Sequence, residues 1–224
     1  MTTLAIEFST DRRSVAVVRD GAVLAEVVHQ ATRTTPVFAM IADVLARAGV
    51  GRDAVGCIAV GIGPGSYTGV RLAISVAQGW QLANGAKVAS VSSFDAMAVA
   101  AKALASGPVL LAADAQRGEF AVAVAEHGRL TEPIRLAAGD ALKARIAAGE
   151  AVAGPEVQRM LGGGSELFPA AADLARAAEE RGEFVAAESV APVYLREAAF
   201  VKAPPARGGL IPNPHGSCQS LSEK

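Results

Sequence analysis

The chain has 224 residues, 51% of them hydrophobic, with 21 Lys plus Arg against 22 Asp plus Glu. That length and hydrophobic content exclude a disordered chain and fit one domain of two lobes or two small domains. The near balance of charge excludes a dominant electrostatic surface for nucleic acid, so any RNA contact would use a local patch or a partner's surface.

The two cysteines, Cys57 in an apolar run and Cys218 in a Pro/Gly/Ser-rich stretch, make no disulfide framework, as expected in a reducing compartment. The apolar run at 4–8 is short for a signal peptide and is soon followed by Asp11, Arg12 and Arg13. No run approaches the length of a membrane span. These features predict a cytoplasmic protein that does not engage a membrane.

In chain order, "LAIEF" (4–8), "SVAVV" (14–18) and "AVLAEVV" (22–28) predict three strands, with Asp20-Gly21 as a hairpin signal. "PVFAMIADVLARAG" (36–49) has helical spacing, with Val37, Met40, Ile41, Val44, Leu45 and Ala48 on one stripe. Thr34 or Thr35 is expected to cap that helix, with Pro36 in its first position and Gly49 at its end. "VGCIAVGI" (55–62) reads as a strand buried on both faces. A glycine-rich stretch follows, and then a helix at 69–85, a strand at 86–91 and a helix at 92–106. Beyond residue 107 the pattern predicts a strand pair at 108–115 and 119–128, and a helix at 140–148. A short strand at 151–154, a short helix at 155–162 and a helix at 170–181 follow. The chain divides on this reading into a lobe at 1–106, a smaller lobe at 107–202 and a tail at 203–224, which is Pro-rich, aperiodic and expected to be flexible. A meander followed by crossover units predicts an α/β protein of the actin-like ATPase (ribonuclease H-like) fold, two lobes with mixed central sheets flanked by helices.

"GIGPGSYTGVR" (61–71) links a buried strand to a helix start. It lacks the Lys-Ser/Thr of a P-loop, and Pro64 interrupts a G-x-G-x-x-G pattern. Its open alternatives are an anion site at a helix N-terminus and a steric turn in which Gly61, Gly63, Pro64, Gly65, Ser66, Thr68 and Gly69 shape the chain. Arg71 sits in the first helical turn, where a cation is unfavourable by about 0.3–1 kcal/mol. A carboxylate such as Glu7 is expected to compensate it, unless it faces solvent. Glu7 ends the first strand as either a functional or a structural carboxylate, and with Ser9 and Thr10 it is the candidate nucleotide-proximal group. The three histidines, His29, His127 and His215, show no metal-ligand spacing, and no G-x-S-x-G elbow occurs. Asp114 and Glu119 flank a turn, either as an acid–base pair or as solvated turn residues. The helix at 69–85 carries Val70, Ala73, Ile74, Ala77 and Trp80 near one stripe, widened by Leu72 and Val76. A helix this broadly apolar faces two layers of its own fold or a partner.

"GIGPGSYTGVRLAISVAQGWQLA" (61–83) resembles the signature of the TsaB (YeaZ) family. "LAIEFST", "AADAQRGEFAVAV" and "APVYLRE" are similar to other stretches of that family, and the likeness covers about residues 3–202. Glu7 stands where the family usually has aspartate. The resemblance implies an actin-like ATPase fold and a non-catalytic subunit that supports TsaD in threonylcarbamoylation of tRNA adenosine. It implies pairing with TsaD through the two early helices, TsaE as a further partner, a homodimer when alone, and tRNA reached through the complex. The partner face expected on this basis is Val37, Met40, Ile41, Val44, Leu45, Val70, Leu72, Ala73, Val76, Ala77 and Trp80. No catalytic residue, metal or cofactor of this chain alone is expected, and ATP or ADP would belong to the assembled complex. The alternatives are a nucleotide-binding ATPase of the actin-like class and, more remotely, a glycoprotease-like peptidase.

Overall fold

A computed structural model describes residues 1–31 and 34–196. The expected tail at 203–224 lies outside the described residues. Three antiparallel strands open the chain: β1 (Thr2–Glu7), β2 (Arg12–Arg19) and β3 (Ala22–Gln30). The β2–β3 turn takes positive φ at both Asp20 and Gly21, the geometry for which that dipeptide is suited. There follow α1 (Val37–Ala48), β4 (Cys57–Gly61), α2 (Tyr67–Asn84), β5 (Lys87–Val91) and α3 (Ser93–Ala101). Strands β4 and β5 run parallel to β1, giving a five-stranded mixed sheet of order β3-β2-β1-β4-β5. Every residue of β4 is buried, as its continuous apolar run predicts, and every residue of β1 is buried as well, Glu7 included.

A second mixed sheet holds β6 (Val109–Asp114), β7 (Glu119–Glu126), β8 (Arg129–Leu130), β10 (Val152–Gly154) and β11 (Ser165–Glu166) in the order β11-β10-β6-β7-β8, with β9 (Arg135–Ala138) also paired to β7. Helices α4 (Gly139–Ala147), α5 (Val157–Leu161) and α6 (Ala171–Arg181) are the remaining α-helices among the described residues. The architecture is the actin-like ATPase, ribonuclease H-like one.

Four cores stack the elements into layers. Helices α1 and α2 cover one face of the first sheet through Leu4, Ile6, Val15, Val44 and Ile74, among others. The opposite face presents Ala5, Ala16, Ala59 and Ala89 to α6 and to Ala96 of α3. Helix α3 also turns Phe94 and Met97 against Leu111 and Ala121 of the second sheet, whose far face is covered by Leu142 of α4 and Val157 of α5.

The sequence-based boundary at residue 107 does not separate these packing units. Helix α6, expected in the second lobe, lies on the first sheet. Its Ala171 and Ala172 N–H groups, orphaned at the helix start, donate to Ser14 Oγ at 2.8 Å and Glu26 Oε1 at 3.2 Å on β2 and β3. An alanine face on α6 meets an alanine face on the sheet, so backbones approach closely; sequence periodicity identifies such a face but not its mate. Two smaller expectations also change. Pro36 is the cap of α1, with no side-chain capping bond, and the Thr35 hydroxyl is buried without a hydrogen-bond partner among the described residues. Helix α3 ends at Ala101 rather than near 106, where Ala103 and Leu104 N–H groups bond three residues back and tighten the last turn.

Candidate functional site: a groove on two helices

The glycine stretch is built against the end of β1. A Cβ on Gly61 would lie 2.2 Å from Glu7 Oε2, one on Gly65 2.2 Å from the Ser9 carbonyl oxygen, and one on Gly69 2.0 Å from the Phe8 carbonyl oxygen. Three glycines thus let the turn lie directly on residues 7–9. Gly63 and Gly65 also take positive φ, and the Gly63–Pro64 bond is cis. Ser66 then caps α2, its Oγ accepting from Gly69 N at 3.2 Å. Thr68, expected to shape the turn, is exposed in the first turn of α2.

Glu7 is fully buried beneath this turn. Its carboxyl accepts from Ser9 N at 2.7 Å and from Ser93 Oγ at 2.9 Å. Burial raises its pKa, outweighing the hydrogen bonds from Ser9 and Ser93 that lower it. Glu7 does not meet Arg71, which corrects that expectation. The Arg71 guanidinium sits 4.2 Å from the centroid of the Tyr67 ring and donates to Tyr194 Oη at 2.8 Å. An aromatic face and a phenol oxygen therefore replace the carboxylate beside the helix N-terminus. Asp114 and Glu119 are likewise engaged structurally: Asp114 Oδ1 accepts from Gln116 N at 2.8 Å, and Glu119 pairs with Arg196.

The helix pair itself reverses much of the expected partner face. Val37, Met40, Ile41, Val44, Leu45, Val70, Ala73, Val76 and Ala77 are all buried in this chain's own core. The stripe that periodicity picks out is the one that packs on the sheet; of the expected residues only Leu72 and Trp80 reach solvent. A second apolar stripe exists beside it. Phe38, Leu72, Ser75, Gly79, Trp80 and Ala83 line a groove of about 510 Å³ between α1 and α2, with Ile41 and Val76 also lining it. Phe38 is 74% exposed, and Leu82 nearby in sequence is 90% exposed. The Trp80 indole Nε1 is buried with no hydrogen-bond partner among the described residues. The expected partner face contains Ile41, Leu72, Val76 and Trp80 of this groove but not Phe38 or Ala83, although 72, 75, 76, 79, 80 and 83 carry helical i, i+3, i+4 spacing in their own right. The overlap of two stripes on one helix hid the outer one.

The cleft between the sheets is a second cavity, of about 420 Å³, and its lining includes Ser9, Thr10, Asp11, Arg13, Asp114 and Glu156. Thr10 Oγ1 donates to the Arg12 carbonyl at 3.1 Å, and the Ser9 hydroxyl is buried and unpartnered among the described residues. Burial raises the Glu156 pKa, with Asp114 and Asp11 adding to the rise. Three carboxyl groups, one arginine and no lysine are in this lining. Among the described residues no group of three or more His, Cys, Asp or Glu side chains is placed to hold a metal ion. None of the described helices is long and apolar enough to cross a membrane.

Comparison with known proteins agrees with this architecture. A family model described as "TsaD: tRNA N6-adenosine threonylcarbamoyltransferase" matches residues 23–199. The chain is 32% identical over 219 residues to the tRNA threonylcarbamoyladenosine biosynthesis protein TsaB of Escherichia coli, covering 88% of this chain and 95% of that protein. It is 38% identical over 125 residues to the TsaB of Haemophilus influenzae, covering 53% of this chain and 51% of that protein. A solved structure of YeaZ from Pseudomonas aeruginosa is similar at 32% identity and a TM-score of 0.71, covering 87% of this chain and 99% of that one. Another, described as an uncharacterized protein with similarity to peptidase YEAZ from Pseudomonas aeruginosa, matches at 33% identity and a TM-score of 0.73, with the same coverage. With its mixed sheets, its glycine turn seated on β1 and this extent of likeness, the chain belongs to the TsaB (YeaZ) family of tRNA threonylcarbamoyladenosine biosynthesis proteins.

Proposed function

We propose that this chain acts in tRNA threonylcarbamoyladenosine biosynthesis as a non-catalytic subunit, docking on TsaD through the α1–α2 groove. The observation that carries this reading is the apolar groove itself, rimmed by exposed Phe38 and floored beside Trp80, whose N–H lacks an acceptor among the described residues. Aromatic residues beside an apolar groove are the usual anchors of a protein interface. Kinship supports the choice of partner. The chain matches the TsaD model over most of its length, so a TsaD partner of the same fold presents an equivalent helix pair, and the two pairs can pack about a pseudo-twofold axis. In the absence of TsaD the same groove pairs two copies of this chain. TsaE and nucleotide join the assembled complex rather than this chain alone, and tRNA is reached through that complex.

The interlobe cleft does not favour the ATPase alternative, because no lysine and only one arginine line it to hold a polyphosphate. Nor does it favour a peptidase: no histidine, cysteine or lysine lines it among the described residues. The test is co-expression with the cognate TsaD followed by size-exclusion chromatography of wild type, Trp80→Ala and Leu82→Asp. Wild type is expected to co-elute with TsaD, and both variants to elute separately while keeping the wild-type melting temperature within about 4 °C. Separate elution of the wild type, or undiminished co-elution of both variants, overturns the reading.

A further inference from the structure

We propose that residues 191–196 form a clasp across the open side of the interlobe cleft, holding the two sheets at a set angle and pinning the first turn of α2. The segment touches both lobes within four residues. On the first lobe, Val193 N donates to the Ile62 carbonyl at 2.9 Å. Tyr194 Oη accepts from Arg71 at 2.8 Å, and its ring lies 6.4 Å from that of Tyr67. On the second lobe, Arg196 donates to the Ala115 carbonyl at 2.9 Å and to the Gln116 carbonyl at 3.3 Å, and pairs with the Glu119 carboxylate.

The second-lobe anchor is a turn that needs holding. Gln116 and Arg117 take φ of 64° and 58° before Gly118, an uncommon conformation for residues with side chains. The planar fork of Arg196 satisfies two carbonyl groups and a carboxylate there at once, which a lysine could not reproduce. A cavity of about 210 Å³ lies beneath the clasp, lined by Pro64 and Gly65 from one lobe, Asp114 and Gln116 from the other, and Val193 to Arg196.

Elsewhere the lobes are joined differently. Apolar packing of α3 against the second sheet forms one joint, and the ion pair Arg129–Glu180, from β8 to α6, reinforces it. Rotation about α3 is the motion this arrangement permits, and the clasp is the element placed to oppose it. Arg71 thereby gains its role. It is the link from the clasp to the helix that carries the groove.

Amide hydrogen exchange on the full, unbound chain tests this, so the outcome does not depend on whether the groove docks a partner. In Arg196→Ala, exchange at 115–119 and 62–67 is expected to rise at least about tenfold, with α1 and β2 unchanged. In Arg196→Lys the rise is expected to persist, because the charge alone cannot replace the fork. In Tyr194→Phe, which keeps the ring and loses the acceptor, a rise confined to 67–71 is expected. Unchanged exchange at 115–119 in Arg196→Ala, an equal rise across the whole chain, or no change at 67–71 in Tyr194→Phe overturns the clasp.

Discussion

Replacing Gly61 by alanine probes the contact on which the glycine turn is built. The new methyl would sit 2.2 Å from Glu7 Oε2 and 2.9 Å from its Cδ. Glu7 is fully buried and held by Ser9 N and Ser93 Oγ, so its carboxyl cannot swing into solvent to make room. Overpacking of this kind costs about 1–3 kcal/mol. Displacing the carboxyl also leaves the Ser9 and Ser93 donors unsatisfied at about 1–3 kcal/mol each. Partial relaxation brings the expected total to about 3–5 kcal/mol, a large share of the roughly 5–15 kcal/mol that keeps a domain folded. Glu7→Ala alone is expected to cost about 2–4 kcal/mol through the same orphaned donors and a cavity. Combining the two places the methyl introduced at position 61 in the space the carboxyl vacated. The double variant should therefore be more stable than the sum of the singles predicts, by at least about 1.5 kcal/mol. Urea unfolding of the four proteins measures this coupling. Additive costs, or a Gly61→Ala protein within about 0.5 kcal/mol of wild type, would refute the claim that Gly61 is small because Glu7 lies on it.

Three further expectations concern the groove and the buried acid. Phe38, about three-quarters exposed, offers roughly 150 Å² of apolar surface to a partner, worth at most about 4 kcal/mol at 25 cal/mol/Å². Phe38→Ser should therefore weaken self-association or TsaD binding by roughly 30- to 300-fold in sedimentation measurements, with little change in melting temperature. Val44→Ala should do the opposite: Val44 is fully buried, so about 2 kcal/mol of stability is lost while partner affinity holds within about threefold. A Phe38→Ser protein that binds normally would place the interface elsewhere. The Glu7 carboxyl, its pKa raised by burial above its ordinary 4.5, binds its proton more tightly folded than unfolded. Its contribution is complete below about pH 4.5 and is lost as pH rises through the elevated folded value. The stability difference between wild type and Glu7→Gln, measured by urea unfolding from pH 4 to 8, should shift in favour of the variant as pH rises; a constant difference contradicts a buried, proton-retaining Glu7.

The local rules of the chain were legible in its residues. Asp20-Gly21 prescribes its hairpin because both positions accept positive φ, the short apolar segment at 4–8 prescribes a strand, and the continuous apolar run at 55–62 prescribes one covered on both faces, where β1 and β4 now lie. The long glycine signature likewise pointed to the family. These are properties of neighbouring residues, and sequence reports neighbours directly. Which surfaces end up facing one another was decided only in three dimensions. Helix α6 returns to the first sheet because its alanine face fits the alanines of β1, β2, β4 and β5, a match between segments far apart in the chain that no period encodes. Arg71 turned to Tyr67 and Tyr194 because the glycine turn folds Glu7 underneath itself and out of reach. The groove followed the same logic. Periodicity finds an apolar stripe, but only packing shows that the sheet takes Val44, Val70 and Ala73 and leaves Phe38 and Trp80 at the outer edge.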